Sequence, residues 1–274
     1  MKHYPSLKLA LALLLTAPFF ALSVQAHRQW ILPSTSVISG SDLWIGVDAA
    51  ISNDLFFANH VAMPPESIEV LAPDGTLLEK QFVQRGKIRT TFELNLQQQG
   101  TYHIRRKGST LFARWQEGEE NKRWRGTLEE LKTEGIADKP GVEIFRSLSR
   151  IETSVVVGPA DIDAFELEGE GLELLPETHP NDLFVGEPVR WRFFQDGAPV
   201  SELELTFVRG NDRFRNQVEA ITAVTDADGW IEVHFPKAGR YWMEGALRLD
   251  ATQIDGIAMK RSYTYVRTFE VFPE

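Results

Sequence analysis

A histidine that stands first in a chain can offer two nitrogens, its α-amine and its imidazole, to one metal ion. His27 is a candidate for that role, because the segment before it has the anatomy of a secretory leader. Lys2 and Lys8 give a positive start, Leu9 to Val24 is almost wholly apolar, and Val24-Gln25-Ala26 places a small residue at a cleavage position. The apolar run is too short for a comfortable membrane span. Cleavage after Ala26 leaves 248 residues that begin His27-Arg28-Gln29-Trp30. Four other histidines remain: His60, His103, His179 and His234. His60 closes the aromatic stretch Asn53-Asp54-Leu55-Phe56-Phe57-Ala58-Asn59 ahead of Met63-Pro64-Pro65, and His179 precedes Pro180, so both read as loop residues. His27, His60 and His179 are the candidate metal ligands, although the proline after His179 also suits a residue that only shapes a turn. His103 and His234 fall mid-strand, opposite the apolar positions, and read as outward-facing surface residues.

The donor set restricts the metal. The chain has no cysteine, which excludes a thiolate site, a thiol nucleophile and a disulfide framework. Nitrogen donors suit nickel, cobalt or copper better than calcium or magnesium, which take oxygen cages. Nothing marks an enzyme: there is no HExxH, no Gly-x-Ser-x-Gly elbow, no phosphate loop and no dinucleotide fingerprint. The formal net charge is −10, and −12 without the leader and its two lysines, which argues against nucleic acid as a partner. A local exception is Lys122-Arg123-Trp124-Arg125, a run of cations around an indole. It reads as a solvated face with one buried Trp, or as a surface for an anion or a partner.

The elements that must position these residues are mostly strands. Hydrophobic residues make up 43% of the chain and charged residues 25%, so it is globular. Alternating apolar positions over Leu43–Val47, Ser67–Leu71, Leu77–Val83, Ile88–Leu96, Gly100–Arg105 and Leu111–Trp115, separated by turns such as Pro73-Asp74-Gly75, predict a first β-sandwich over residues 27–160. Thr127-Leu128-Glu129-Glu130 matches a capping box and predicts a short helix over 128–134, stopped at Gly135. Residues 142–152 suit either a second helical piece or the approach to a strand at 153–157. The acidic, glycine-containing stretch 161–171 reads as a linker, and 172–274 as a second sandwich with turns at Asp196-Gly197 and Asp226-Ala227-Asp228-Gly229. The expected fold is mostly β, two tandem Ig-like or transthyretin-like sandwiches with a short helical insertion between them.

The start Ala26-His27-Arg28-Gln29-Trp30-Ile31-Leu32-Pro33, the Asp54-Leu55-Phe56 to His60 loop, Lys122-Arg123-Trp124-Arg125-Gly126-Thr127 and Thr178-His179-Pro180-Asn181-Asp182-Leu183 together resemble the domain of unknown function 4198 family. The resemblance runs over nearly the whole chain after the leader. It implies a periplasmic β-sandwich protein associated with metal, described as a component of cobalt or nickel uptake. The expectation is a non-enzymatic accessory of nickel or cobalt uptake, with iron or copper as other cargoes, that works beside inner- or outer-membrane transporter components. The terminal histidine also resembles that of periplasmic copper carriers and copper oxygenases, which leaves an oxidative copper enzyme as a weaker reading. A protein-interaction or adhesion module without metal is the alternative from a different class.

Overall fold

The computed structural model describes residues 27–274; the expected leader, residues 1–26, lies outside the described residues. The described residues are mostly β, in three sheets stacked as layers, with one short α-helix. The front sheet runs Arg28–Pro33, Leu43–Ser52, Thr90–Leu96 and Gln81–Arg85. The back sheet is built on Pro188–Gln195, paired with Leu172–Pro176 and Trp230–His234. Between them lies a nine-stranded sheet in the order Ile221–Val224, Glu204–Arg209, Gly239–Ile254, Ile257–Val271, Glu143–Val157, Gly100–Glu117, Glu69–Leu71, with Val37–Ile38 added to Glu143–Val157 and Glu120–Gly126 to Gly100–Glu117.

That middle sheet serves both expected sandwiches. Strand Glu143–Val157 pairs in parallel with Ile257–Val271, so hydrogen bonds run from one half of the chain into the other. Successive side chains of a strand point to opposite faces, and here both faces are covered. Val208, Trp242 and Val266 pack with Trp30, Ile45 and Phe92 of the front core. Their neighbours Phe207, Tyr241, Met243 and Tyr265 pack with Trp191 and Phe193 of the back core. Tyr241-Trp242-Met243 and Val155-Val156-Val157 are buried throughout and lack the polar alternation of a half-solvated strand.

Two local expectations are resolved. Of the two readings of 142–152, the approach to the strand holds and the helical piece does not: residues 143–157 form one fifteen-residue strand. Gly100–Arg105 and Leu111–Trp115 join into a single eighteen-residue strand, Gly100–Glu117. Gly108, in the stretch between them, is not a break: a Cβ there would stand 2.6 Å from Ser149 Oγ, so it permits close approach of the neighbouring strand. The far end of this strand turns into Glu120–Gly126, making a hairpin arm. The helix, Leu128–Thr133, packs Leu131 on Leu111, Ala113 and Ile144, and so covers one face of the arm. Its capping box is formed as expected: Glu130 N donates to Thr127 Oγ1 at 3.2 Å and Thr127 N donates to Glu130 Oε2 at 2.8 Å. Replacing Thr127 with Ala is expected to cost about 1 kcal/mol, read as a lower denaturant midpoint with an unchanged slope. Among the described residues no helix is long and apolar enough to cross a membrane.

Candidate functional site

His27 and His60 meet. Their rings stack with centroids 3.9 Å apart and planes 9° from parallel, and both side chains are exposed. His27 immediately precedes the Arg28–Pro33 strand, whose first residue pairs with Ser52. The chain then loops through 53–59 and returns. Ser52 Oγ accepts from Trp30 Nε1 at 2.7 Å and donates to Asp54 O at 2.6 Å. Asn59 clasps the loop: its Nδ2 donates to Asp54 Oδ2 at 2.7 Å, and its Oδ1 accepts from Asn53 N at 2.8 Å. Leu55 is buried, and Phe56, at φ +58°, sets its ring edge-on to Trp30 at 5.8 Å. The aromatic stretch is thus a plug that anchors the loop, and the anchored loop delivers His60 to His27.

A segment from the second half of the chain completes the support. Arg28 pairs with the largely buried Asp212, and its guanidinium lies 5.5 Å from the Trp242 ring. Trp242 Nε1 donates to Gln29 O at 2.9 Å. Arg213 stacks over Phe57 at 3.8 Å. Gly210 lies so close to the Phe56 ring that a Cβ would stand 2.9 Å from it. The start of the described chain is therefore held at strand, loop and far segment together. Two exposed imidazoles in contact are nitrogen donors of the kind that could hold a transition-metal ion. Among the described residues no group of three or more His, Asp or Glu side chains gathers that could hold a metal. The candidate site among the described residues is therefore these two side chains.

His179 is not brought to this pair. It is 6% exposed, its Nδ1 accepts from Asn181 N at 3.0 Å, and its Nε2 faces Thr101 Oγ1 at 3.3 Å. Both ring nitrogens are engaged in packing the return into the second half. Burial, reinforced by Arg267 and His103, lowers its pKa to about 4. His103 also departs from the expected surface position. The face it points to is outside the front sandwich but inside the three-layer stack, where the 161–168 stretch covers it. Its Nε2 lies 3.0 Å from Ala164 O and its ring meets Phe165 edge-on at 4.9 Å. Burial lowers its pKa to about 4, with the Glu152 carboxylate opposing. His234 is exposed, as expected.

The sequence reading missed an ionic cluster in the middle sheet. Arg267 is fully buried; its Nη1 donates to Glu152 Oε1 at 2.9 Å and its Nη2 to Ser154 Oγ at 2.6 Å. Ser154 Oγ donates in turn to Asn181 Oδ1 at 2.5 Å, which ties the cluster to the His179 turn. Arg150 reaches Glu168 at 2.7 Å and Glu173 at 3.1 Å. Arg150, Glu152, Glu168 and Glu173 line a cleft of about 430 Å³ beside His103. Its cations already have carboxylate partners, so it is built as an internal clamp. Charged residues inside buried strands, Arg150 and Glu152 before the valine run and Arg267 between Val266 and Thr268, were the signal available in the sequence.

The family model for "Domain of unknown function (DUF4198)" matches residues 24–247. The chain belongs to this family. The match to DUF4198 spans both histidines of the exposed pair, the hairpin arm and most of the second half. No curated protein matches the chain. Among solved structures, the D0-D1 domain of intimin aligns at 11% identity over 86% of this chain and 96% of that one, with a TM-score of 0.21. A DUF4785 family protein from Legionella pneumophila aligns at 8% identity over 78% and 52%, with a TM-score of 0.24. An ICAM-5 D1-D4 ectodomain fragment aligns at 14% identity over 90% and 52%, with a TM-score of 0.20. At TM-scores this low none of them bears on what this DUF4198 chain does.

Proposed function

We propose that this protein is a non-enzymatic, periplasmic binder of a transition-metal ion, an accessory to nickel, cobalt or copper uptake that works beside membrane transporter components. The observation that carries the reading is the contact of His27 with His60, 3.9 Å apart at the surface and at the point where a cleaved leader would end. Two imidazoles and one amine provide three nitrogens of the kind these metals favour. Each imidazole binds only when neutral and the amine only when deprotonated, so uptake of the ion releases protons. The two rings are exposed and therefore free to turn from stacking toward a shared ion. The surrounding aromatic plug and the Arg28–Asp212 pair hold the backbone from which they turn.

Calorimetric titration with nickel, cobalt and copper salts tests this on correctly processed protein. Three variants serve as comparison: one carrying an extra residue ahead of His27, one with His60→Ala, and one with His179→Gln. One ion per chain is expected for the processed protein. Saturable binding is lost in the first two variants and kept in the third. Tight binding that survives the N-terminal extension sinks the terminal-histidine site, and absence of any binding sinks the metal reading altogether.

A further inference from the structure

Among the described residues no layer covers the face of the hairpin arm opposite the helix, where Phe112, Arg114, Arg123 and Arg125 are exposed. On it, Phe112 and Phe145 stack in parallel with centroids 4.7 Å apart, and Phe112 remains 37% exposed. Arg114 lies 5.0 Å and Lys260 5.5 Å from the Phe145 ring. Arg123 stands opposite Arg114 and Arg125 opposite Phe112 in the strand register, so four cations and two aromatic rings share one surface. Glu143 is the carboxylate among them and is already bound by Arg114 and Lys260. Arg123 and Arg125 are exposed and join no ion pair among the described residues. The surface borders an open cleft of about 560 Å³. Among the described residues, strand Glu120–Gly126 pairs with Gly100–Glu117 on one side and with no strand on the other.

We infer that this face docks an extended acidic segment of a partner protein, laid along the free edge of Glu120–Gly126. A strand added to an open edge gains main-chain hydrogen bonds, and its alternate side chains fall on one face. Carboxylates at every second position would meet Arg123 and Arg125 on the face that carries Phe112. On a chain of net charge −10 this is a local reversal of sign, which selects an anionic partner and speeds its encounter. A lipid surface fits less well. Glu117, Glu119 and Glu120 crown the tip of the arm and would repel anionic headgroups, and Phe112 lies flat against Phe145 without projecting as a wedge.

The test uses the full processed chain and a peptide of about ten residues with glutamate and threonine alternating. Its lysine–threonine counterpart and phosphatidylglycerol vesicles are run beside it. The glutamate peptide is expected to bind saturably at low salt and the lysine peptide not at all. Amides of residues 120–126 should gain protection from hydrogen exchange. Arg123→Glu with Arg125→Glu should weaken binding at least about tenfold and leave the circular dichroism spectrum and melting temperature unchanged, because both side chains are exposed. Failure of the glutamate peptide to bind overturns the inference. So does binding that survives the double charge reversal, or binding without protection of those amides. Vesicle binding without peptide binding replaces it with a membrane contact.

Discussion

Arg267→Met lowers stability by about 3–5 kcal/mol, enough to move the melting temperature by roughly 10 °C in a chain of this size. The cause is the partner left behind. Glu152 is buried, and burial alone would push its carboxyl up; the Arg267 and Arg150 guanidiniums overcome this and hold it ionised below the usual range. Without Arg267, the remaining support is Arg150 at 3.9 Å and the Tyr265 hydroxyl, which donates to the same carboxylate. An unpaired charge in that position costs far more than the pair itself contributes. The double variant Arg267→Met, Glu152→Leu should therefore recover a large part of the loss, because the orphaned carboxylate goes with the guanidinium. Guanidinium chloride midpoints for the single and double variants measure both effects. A single variant as stable as the parent, or a double variant no better than the single, would falsify the account of the cluster as an electrostatic clamp.

Stability should also fall as pH drops from about 6.5 toward 4. His103 and His179 titrate near pH 4 in the folded chain, below their ordinary value of 6.5. Between those values the unfolded chain takes up protons that the folded chain refuses, so acid favours unfolding. The full benefit of keeping the two rings neutral is present above 6.5 and is gone below 4. For each ring, a shift from 6.5 to about 4 amounts to about 3 kcal/mol over the whole window. Glu168 extends the trend. Burial pushes its carboxyl up, but Lys107, Arg150 and Arg105 hold it at about 2, so its contribution is lost as pH falls from 4.5 through 2. Urea midpoints across pH 4 to 7 read the slope, and His103→Gln should flatten it. An unchanged slope in that variant would remove His103 as its source.

The parts of the fold set by local rules were legible in the residues. The capping box at Thr127 and Glu130 gave the helix and Gly135 its end, at φ +62°. Alternation located most strands, and the sandwich texture followed from it. What alternation could not give was the number of covered faces. A strand with one dry face reads apolar at every second position; Tyr241-Trp242-Met243 and Val155-Val156-Val157 are apolar at each, the mark of layers on both sides. His103 was assigned to solvent for the same reason: its face is solvent only if the sandwich stands alone. Of the candidate ligands, His27 and His60 come together through the Asn59 clasp and the Phe56 plug, whereas His179 packs beneath Phe165. Sequence marked all three as loop or terminal histidines. Only the tertiary path of the 53–59 loop distinguishes the exposed pair from the buried one.

The parallel pairing of Glu143–Val157 with Ile257–Val271 has a bearing on how the molecule is assembled over time. The fifteen residues of the Ile257–Val271 strand occupy the centre of the middle layer, between their own hairpin partner Gly239–Ile254 and Glu143–Val157, which comes much earlier in the chain. A polypeptide delivered N-terminus first would hold its front layer and the Gly100–Glu117 strand in waiting, with Arg150 and Glu152 lacking Arg267, until that final strand arrives. Contacts that span so much sequence form slowly. The chain would remain open through most of its emergence and close in one late step. That order leaves the unfinished sheet dependent on whatever shields it in the interval.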